Sequence, residues 1–135
     1  DGRLFHNNDE LKTVFGDNKL EYLRHYRFNI TPENTNYDGY VTEKLMEAIH
    51  AGCIPIYNGG DNCPEPDVLN QEAIIFIEMG KENIDAIKLV SELNSDEKKY
   101  MDFACQKRFV DGAEDVIWGY YETLEKKLRE IIANV

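Results

Sequence analysis

Positive charge is what this chain has least of against its opposite: 15 Lys and Arg stand against 26 Asp and Glu, a formal charge of −11. Such a surface repels a polyphosphate backbone instead of releasing its counterions, which excludes nucleic acid as a partner class. A small phosphorylated ligand stays open, because a few cations and backbone N–H groups focused in a cleft outweigh a distant negative surface. Cysteine is scarce as well. Cys53, Cys63 and Cys105 are widely spaced and odd in number, with no C-x-x-C pair and no His at zinc-ligand spacing. They read as reduced thiols. The four prolines and nine glycines are scattered, which excludes collagen-like repetition and a disordered tract. No apolar run approaches the ~20 residues of a membrane span, and the start lacks the charged-then-apolar order of a signal peptide.

What is present suits one globular domain over residues 1–135, with 42% hydrophobic residues and length enough to bury about two-thirds of the unfolded chain's surface. Leu11, Val14 and Phe15, then Leu20 and Leu23, predict two short helices parted by a Gly16-Asp17-Asn18 turn. Tyr26 to Ile30 alternates as a strand and meets Pro32. Val41, Leu45, Ala48 and Ile49 share one helical face, and Gly52 stands where a C-cap glycine belongs. Cys53 to Tyr57 and Ala73 to Ile77 read as buried strands, with Pro55 expected at a sheet edge or a strand end. Ile84 to Leu93, a stretch from Glu97 through Phe103 and Phe109, and Asp115 to Ala133 read as helices. Strands alternating with helices define the fold class as α/β, a Rossmann-like parallel sheet with flanking helices.

Polar residues concentrate between Glu33 and Lys44, from a strand end to the first turn of an amphipathic helix. Open parallel sheets bind ligands outside the carboxyl ends of their strands, where a helix N-terminus presents unpaired N–H groups to an anion. Lys44 adds a full charge that reaches a phosphate, Glu43 suits two ribose hydroxyls, and Tyr40 offers a ring and a hydroxyl. The plainer reading stands beside it: Glu43 favours its helix dipole, Thr42 or Asp38 caps the helix, and Lys44 is solvated.

The run Tyr26-Arg27-Phe28-Asn29-Ile30, then Glu33-Asn34, then Tyr40-Val41-Thr42-Glu43-Lys44-Leu45, and finally Ala51-Gly52-Cys53-Ile54-Pro55-Ile56-Tyr57 with Gly59 resembles the signature of glycosyltransferase family 10, the α-1,3/1,4-fucosyltransferases. A weaker similarity runs through Asp67 and Ile74–Ile77 to the helical C-terminus. The resemblance implies the C-terminal lobe of a two-lobed GT-B enzyme that moves L-fucose from GDP-fucose, with inversion, to a glycan containing N-acetylglucosamine or glucose. It implies a donor pocket from Glu33, Asn34, Tyr40, Val41, Thr42, Glu43 and Lys44, with Lys44 also stabilising the departing diphosphate. The catalytic general base and a further diphosphate-binding cation are implied in chain that precedes this one, so the fragment alone is expected to be inactive. The missing N-terminal lobe is the implied intramolecular partner. No cofactor is required on this reading; a divalent cation is neither indicated nor excluded. Location follows the host: cytoplasmic or membrane-associated in a bacterium, the Golgi lumen in a eukaryote. One departure is plain, since Asn58 stands where the family has Trp. A transferase for another nucleotide sugar, and a non-catalytic glycan-binding module, are the competing readings.

His6, His25 and His50 share no metal-ligand spacing, and His50 suits its helix's C-terminal dipole. Asp61 and Asp67 read as turn residues. Glu65 with Asp67, and Asp96 with Glu97, read as solvated faces. Trp118, Tyr120 and Tyr121, beside Ile117 and Leu124 at helical spacing, read as core or interlobe packing ahead of a sugar platform.

Overall fold

A computed structural model describes residues 8–133; His6 lies outside them. Helices α1 (Glu10–Thr13) and α2 (Lys19–Leu23) lead to strand β1 (Phe28–Pro32), helix α3 (Glu43–Ala51) and strand β2 (Ile54–Asn58). A 3-10 turn (Gln71–Ala73), strand β3 (Ile75–Phe76) and helices α4 (Ile84–Ser95), α5 (Glu97–Ala104) and α6 (Ala113–Ala133) complete the order. The three strands pair in parallel in the order β1-β2-β3, with Phe28 opposite Ile54 and Ile56 opposite Ile75.

The local signals explain the element boundaries. Asn18 caps α2 by accepting the Glu21 N–H, as its short amide allows. Gly52 ends α3 at φ 88°, its N–H returning to Ala48 and Ile49 carbonyls, a left-handed geometry that any Cβ would strain. Asp96 caps α5 through the Lys99 N–H. That helix stops at Ala104, short of the expected Phe109, which instead bridges Leu69.

Pro55 departs from expectation, for β2 is the central strand. The reason lies in which side its absent N–H faces. The Ile54 N–H bonds the carbonyl of Arg27, the residue just before β1, and alternate residues of a strand point their N–H groups the same way. Pro55 therefore faces β3, whose pairing begins only one residue later, at Ile56, so no ladder bond is lost.

Both faces of β2 are covered, which is why it reads as a continuous apolar run. On one side Tyr57 packs with Leu45 of α3, Val68, Leu69, Ile74 and Ala113. On the other, Ile54 and Ile56 pack with Ile75 and Leu93 of α4. Arg27 lies 4.5 Å from the Tyr100 ring centroid and pairs with Glu97, tying β1 to α5. Cys53 is fully buried, its thiol donating to the Leu23 and Tyr26 carbonyls, and burial pushes its pKa up, which makes it an inert structural group.

The long helix α6 narrows one expectation, removing the core alternative and leaving interlobe packing untested. Trp118, Tyr120 and Tyr121 are more than half exposed, as are Leu124 and Ile131, so they are not part of this chain's core. Helical spacing defines an apolar stripe without saying what covers it. No helix among the described residues is long and apolar enough to cross a membrane.

Candidate functional site

All three strands end on one side of the sheet, and the loops that leave them meet there. β1 runs into Glu33 and Asn34, β2 into Asn58, Gly59 and Gly60, and β3 into Ile77 and Glu78. The Glu33 N–H bonds the Asn58 carbonyl at 2.8 Å, extending the ladder one residue past the strand. Gly59 is needed where it stands. A Cβ there would sit 2.3 Å from the Tyr57 hydroxyl and 2.8 Å from Glu33 Cγ, and Tyr57 is almost fully buried with no room to yield.

Glu33 organises the turn into α3. Its side chain is wholly buried, and its carboxylate accepts the Thr42 N–H at 2.8 Å and the Thr42 hydroxyl at 2.6 Å. Thr42 is the N-cap residue of α3 but makes no side-chain cap bond of its own, because its hydroxyl is spent on Glu33. Lys44 lies 3.7 Å from the same carboxylate and is about a quarter exposed. Its ammonium donates to the Pro32 carbonyl at 3.1 Å and to Asn34 Oδ1 at 2.9 Å. A lysine on the first turn of a helix is thus drawn back over the strand end, next to the helix's positive pole. It is not a solvated side chain.

Two cavities flank this cluster. One, about 200 Å³, is lined by Gly39, Tyr40, Val41, Tyr57 and the Gly59–Pro66 loop. Burial, with the Glu33, Asp61 and Glu65 carboxylates adding to it, pushes the Tyr57 phenol up to about 12, so it is a neutral donor at physiological pH. The other, about 470 Å³, lies over the strand ends and is lined by Glu33, Asn34, Asn36, Asn58, Gly60, Asp61, Asn62, Glu78 and Met79. Asn83 steadies its rim by accepting the Glu78 N–H and donating to the Glu78 carbonyl. Asp61 is the turn residue expected of it, accepting the Cys63 N–H.

Of the residues singled out from the sequence, Glu33, Asn34, Thr42 and Lys44 form one hydrogen-bonded cluster. Tyr40 and Val41 line the smaller cavity. Glu43 is exposed on the first turn of α3 and lines neither cavity. The carboxylate of Glu33 turns inward, so it shapes the turn instead of meeting a ligand. Asn62 and Glu78 join the site only through loops that the sheet brings together, and no local spacing marks them. Asn58 had left a trace, as a polar residue at the end of an apolar strand. No group of three or more His, Cys, Asp or Glu among the described residues is arranged to hold a metal ion.

A parallel sheet whose strand ends, helix N-terminus and lysine converge beside a polar cavity defines an α/β lobe with a ligand cleft at the carboxyl ends of its strands. Comparison with known proteins makes this specific. Residues 3–124 match the model of the C-terminal part of glycosyltransferase family 10 (fucosyltransferase), and the chain belongs to that family. It is 34% identical over 85 residues to an alpha-(1,3)-fucosyltransferase of Helicobacter pylori, covering 63% of this chain and 17% of that protein. An alpha-(1,4)-fucosyltransferase of Arabidopsis thaliana is 48% identical over 40 residues, 30% of this chain and 10% of that protein. A crystal structure of an alpha1,3-fucosyltransferase with GDP-fucose superposes with a TM-score of 0.59 at 32% identity, over 70% of this chain and 28% of that one. The α/β class and the GT-B lobe expected from the sequence hold. The chain spans under a third of each of these relatives' own length.

Proposed function

We propose that residues 1–135 form the donor-binding lobe of an inverting fucosyltransferase, which moves L-fucose from GDP-fucose to a glycan containing N-acetylglucosamine or glucose. The observation that carries the reading is the placement of Lys44, whose ammonium is held by Pro32 and Asn34 at the mouth of α3. A diphosphate there meets the free first-turn amides and a full positive charge together. As the nucleotide departs, the same charge stabilises the oxygens that gain negative charge. Family membership and likeness to a structure with GDP-fucose support this assignment.

Transfer itself belongs to the whole protein. The general base and the acceptor surface lie in the lobe that precedes this chain, and the exposed stripe of α6 is the face that packs against it. The protein works in the cytoplasm or at the membrane of a bacterium, or in the Golgi lumen of a eukaryote.

Calorimetric titration with GDP and GDP-fucose tests the reading. Lys44→Ala is expected to weaken both ligands by about 10- to 100-fold, the size of a lost charge-assisted hydrogen bond. Glu43→Ala weakens both less, through the ribose. Absence of guanine-nucleotide binding, or Lys44→Ala binding as the parent does, would overturn the assignment. GDP-mannose and UDP-sugars as competitors separate fucose transfer from transfer of another sugar.

A further inference from the structure

We infer that Glu33 is a positioning residue for the donor: by drawing Thr42 towards itself it withholds the cap of α3 and leaves the first-turn amides open to an anion. The inference rests on the donor-binding reading above. Thr42 has the extended backbone of an N-cap, φ −112° and ψ 178°. From that position a threonine oxygen ordinarily accepts the N–H of the second or third helical residue, here Lys44 or Leu45. Asn18 and Asp96 do this for α2 and α5. Thr42 does not. Its hydroxyl donates to Glu33 Oε2 at 2.6 Å and its own N–H to Glu33 Oε1 at 2.8 Å, so both face the residue that follows β1.

The amides of Glu43, Lys44 and Leu45 consequently have no hydrogen-bond partner among the described residues. Glu43 is exposed and Lys44 partly so, which puts the helix mouth within reach of a ligand. Leu45 is fully buried, so water does not serve its N–H, and an orphan of that kind draws any acceptor able to reach it. A Thr42 hydroxyl released from Glu33 would turn to it. That rotation brings an oxygen over the mouth of α3, into the place of a phosphate oxygen. The Glu33 carboxylate thus acts on the anion in two opposed ways. Its charge, 3.7 Å from the Lys44 ammonium, repels a diphosphate. Its hold on Thr42 keeps the amides free. Loss of the charge alone would tighten an anion, and loss of the hold would weaken it, so the sign of the change tells the two apart.

The test is calorimetry with GDP on the full chain carrying Glu33→Gln, alone and together with Thr42→Val. Glu33→Gln is expected to weaken GDP by about fivefold, the size of one N-cap set against the ligand. Adding Thr42→Val, which has no hydroxyl to cap with, should recover most of that loss. Equal or tighter binding in Glu33→Gln overturns the inference, as does a double variant no better than the single one, the result that a purely structural brace gives. Amide hydrogen exchange on the unsubstituted chain supplies a second reading that needs no folded variant. The Thr42 N–H should be protected with or without GDP, and those of Glu43 and Lys44 only with it. Protection of all three without ligand overturns the inference. A parent chain that ignores GDP overturns the donor-binding reading itself, a separate result.

Discussion

Removing the Glu33 carboxylate is the most direct challenge to the way this turn is built. Glu33 accepts two hydrogen bonds from Thr42 at 2.8 and 2.6 Å, whereas Lys44 stands 3.7 Å away and keeps two other acceptors. Hydrogen bonds to a charged group contribute about 1.5–3 kcal/mol each when buried. A partly exposed ion pair beyond hydrogen-bond distance contributes under about 1 kcal/mol. Glu33→Ala is therefore expected to destabilise the fold by about 3–5 kcal/mol, near the size for breaking a buried charged network. Glu33→Gln, which still accepts one bond from Thr42, should lose about 1–2 kcal/mol. Denaturant unfolding of a double-mutant cycle decides between the partners. Coupling of Glu33→Gln with Thr42→Val should exceed its coupling with Lys44→Met by at least about 1 kcal/mol. Equal couplings, or a larger one with Lys44, would refute the account of Glu33 as the group that holds the α3 turn.

Two glycines separate strain from clash. A Cβ at Gly52, at φ 88°, meets open space, while one at Gly60, at φ 37°, lies 2.8 Å from the Tyr37 carbonyl; Gly52→Ala should cost about 1 kcal/mol and Gly60→Ala about 2–3 kcal/mol, read from unfolding midpoints. The Tyr57 phenol has a folded-state pKa raised to about 12 from 10.0. Because it is raised, its contribution to stability is complete below pH 10 and is lost as pH climbs towards 12; Tyr57→Phe should flatten the alkaline fall in the unfolding midpoint.

Elements set by local chemistry were legible in the sequence. The α3 helix and its Gly52 stop, the Asn18 and Asp96 caps, and the apolar run of β2 each depend on residues within a turn of one another. What escaped is long-range. Pro55 in a central strand makes sense only once β3 is known to start one residue beyond it. Thr42 looks like an ordinary N-cap until Glu33, nine residues earlier, is seen to take its hydroxyl. The aromatic stripe of α6 has the spacing of a buried face, and only the packed structure shows it uncovered. In the site, Lys44 and Asn34 were readable because motif and strand end lie close in sequence. Glu78 and Asn62 were not, since parallel strands bring distant loops together.

The charge arrangement bears on how a donor would lie. Glu33, Asp61, Glu65 and Glu78 crowd the loops at the strand ends, while the cation beside them is Lys44. Carboxylates that line both cavities repel a diphosphate from either, and attraction remains at the α3 N-terminus and the Lys44 ammonium, partly offset by the inward-turned Glu33 carboxylate 3.7 Å from it. A nucleotide sugar has its anionic part in the middle and neutral parts at each end. On the donor-binding reading, the negative surface of a chain of charge −11 would set the register of the ligand, with its anionic middle at α3.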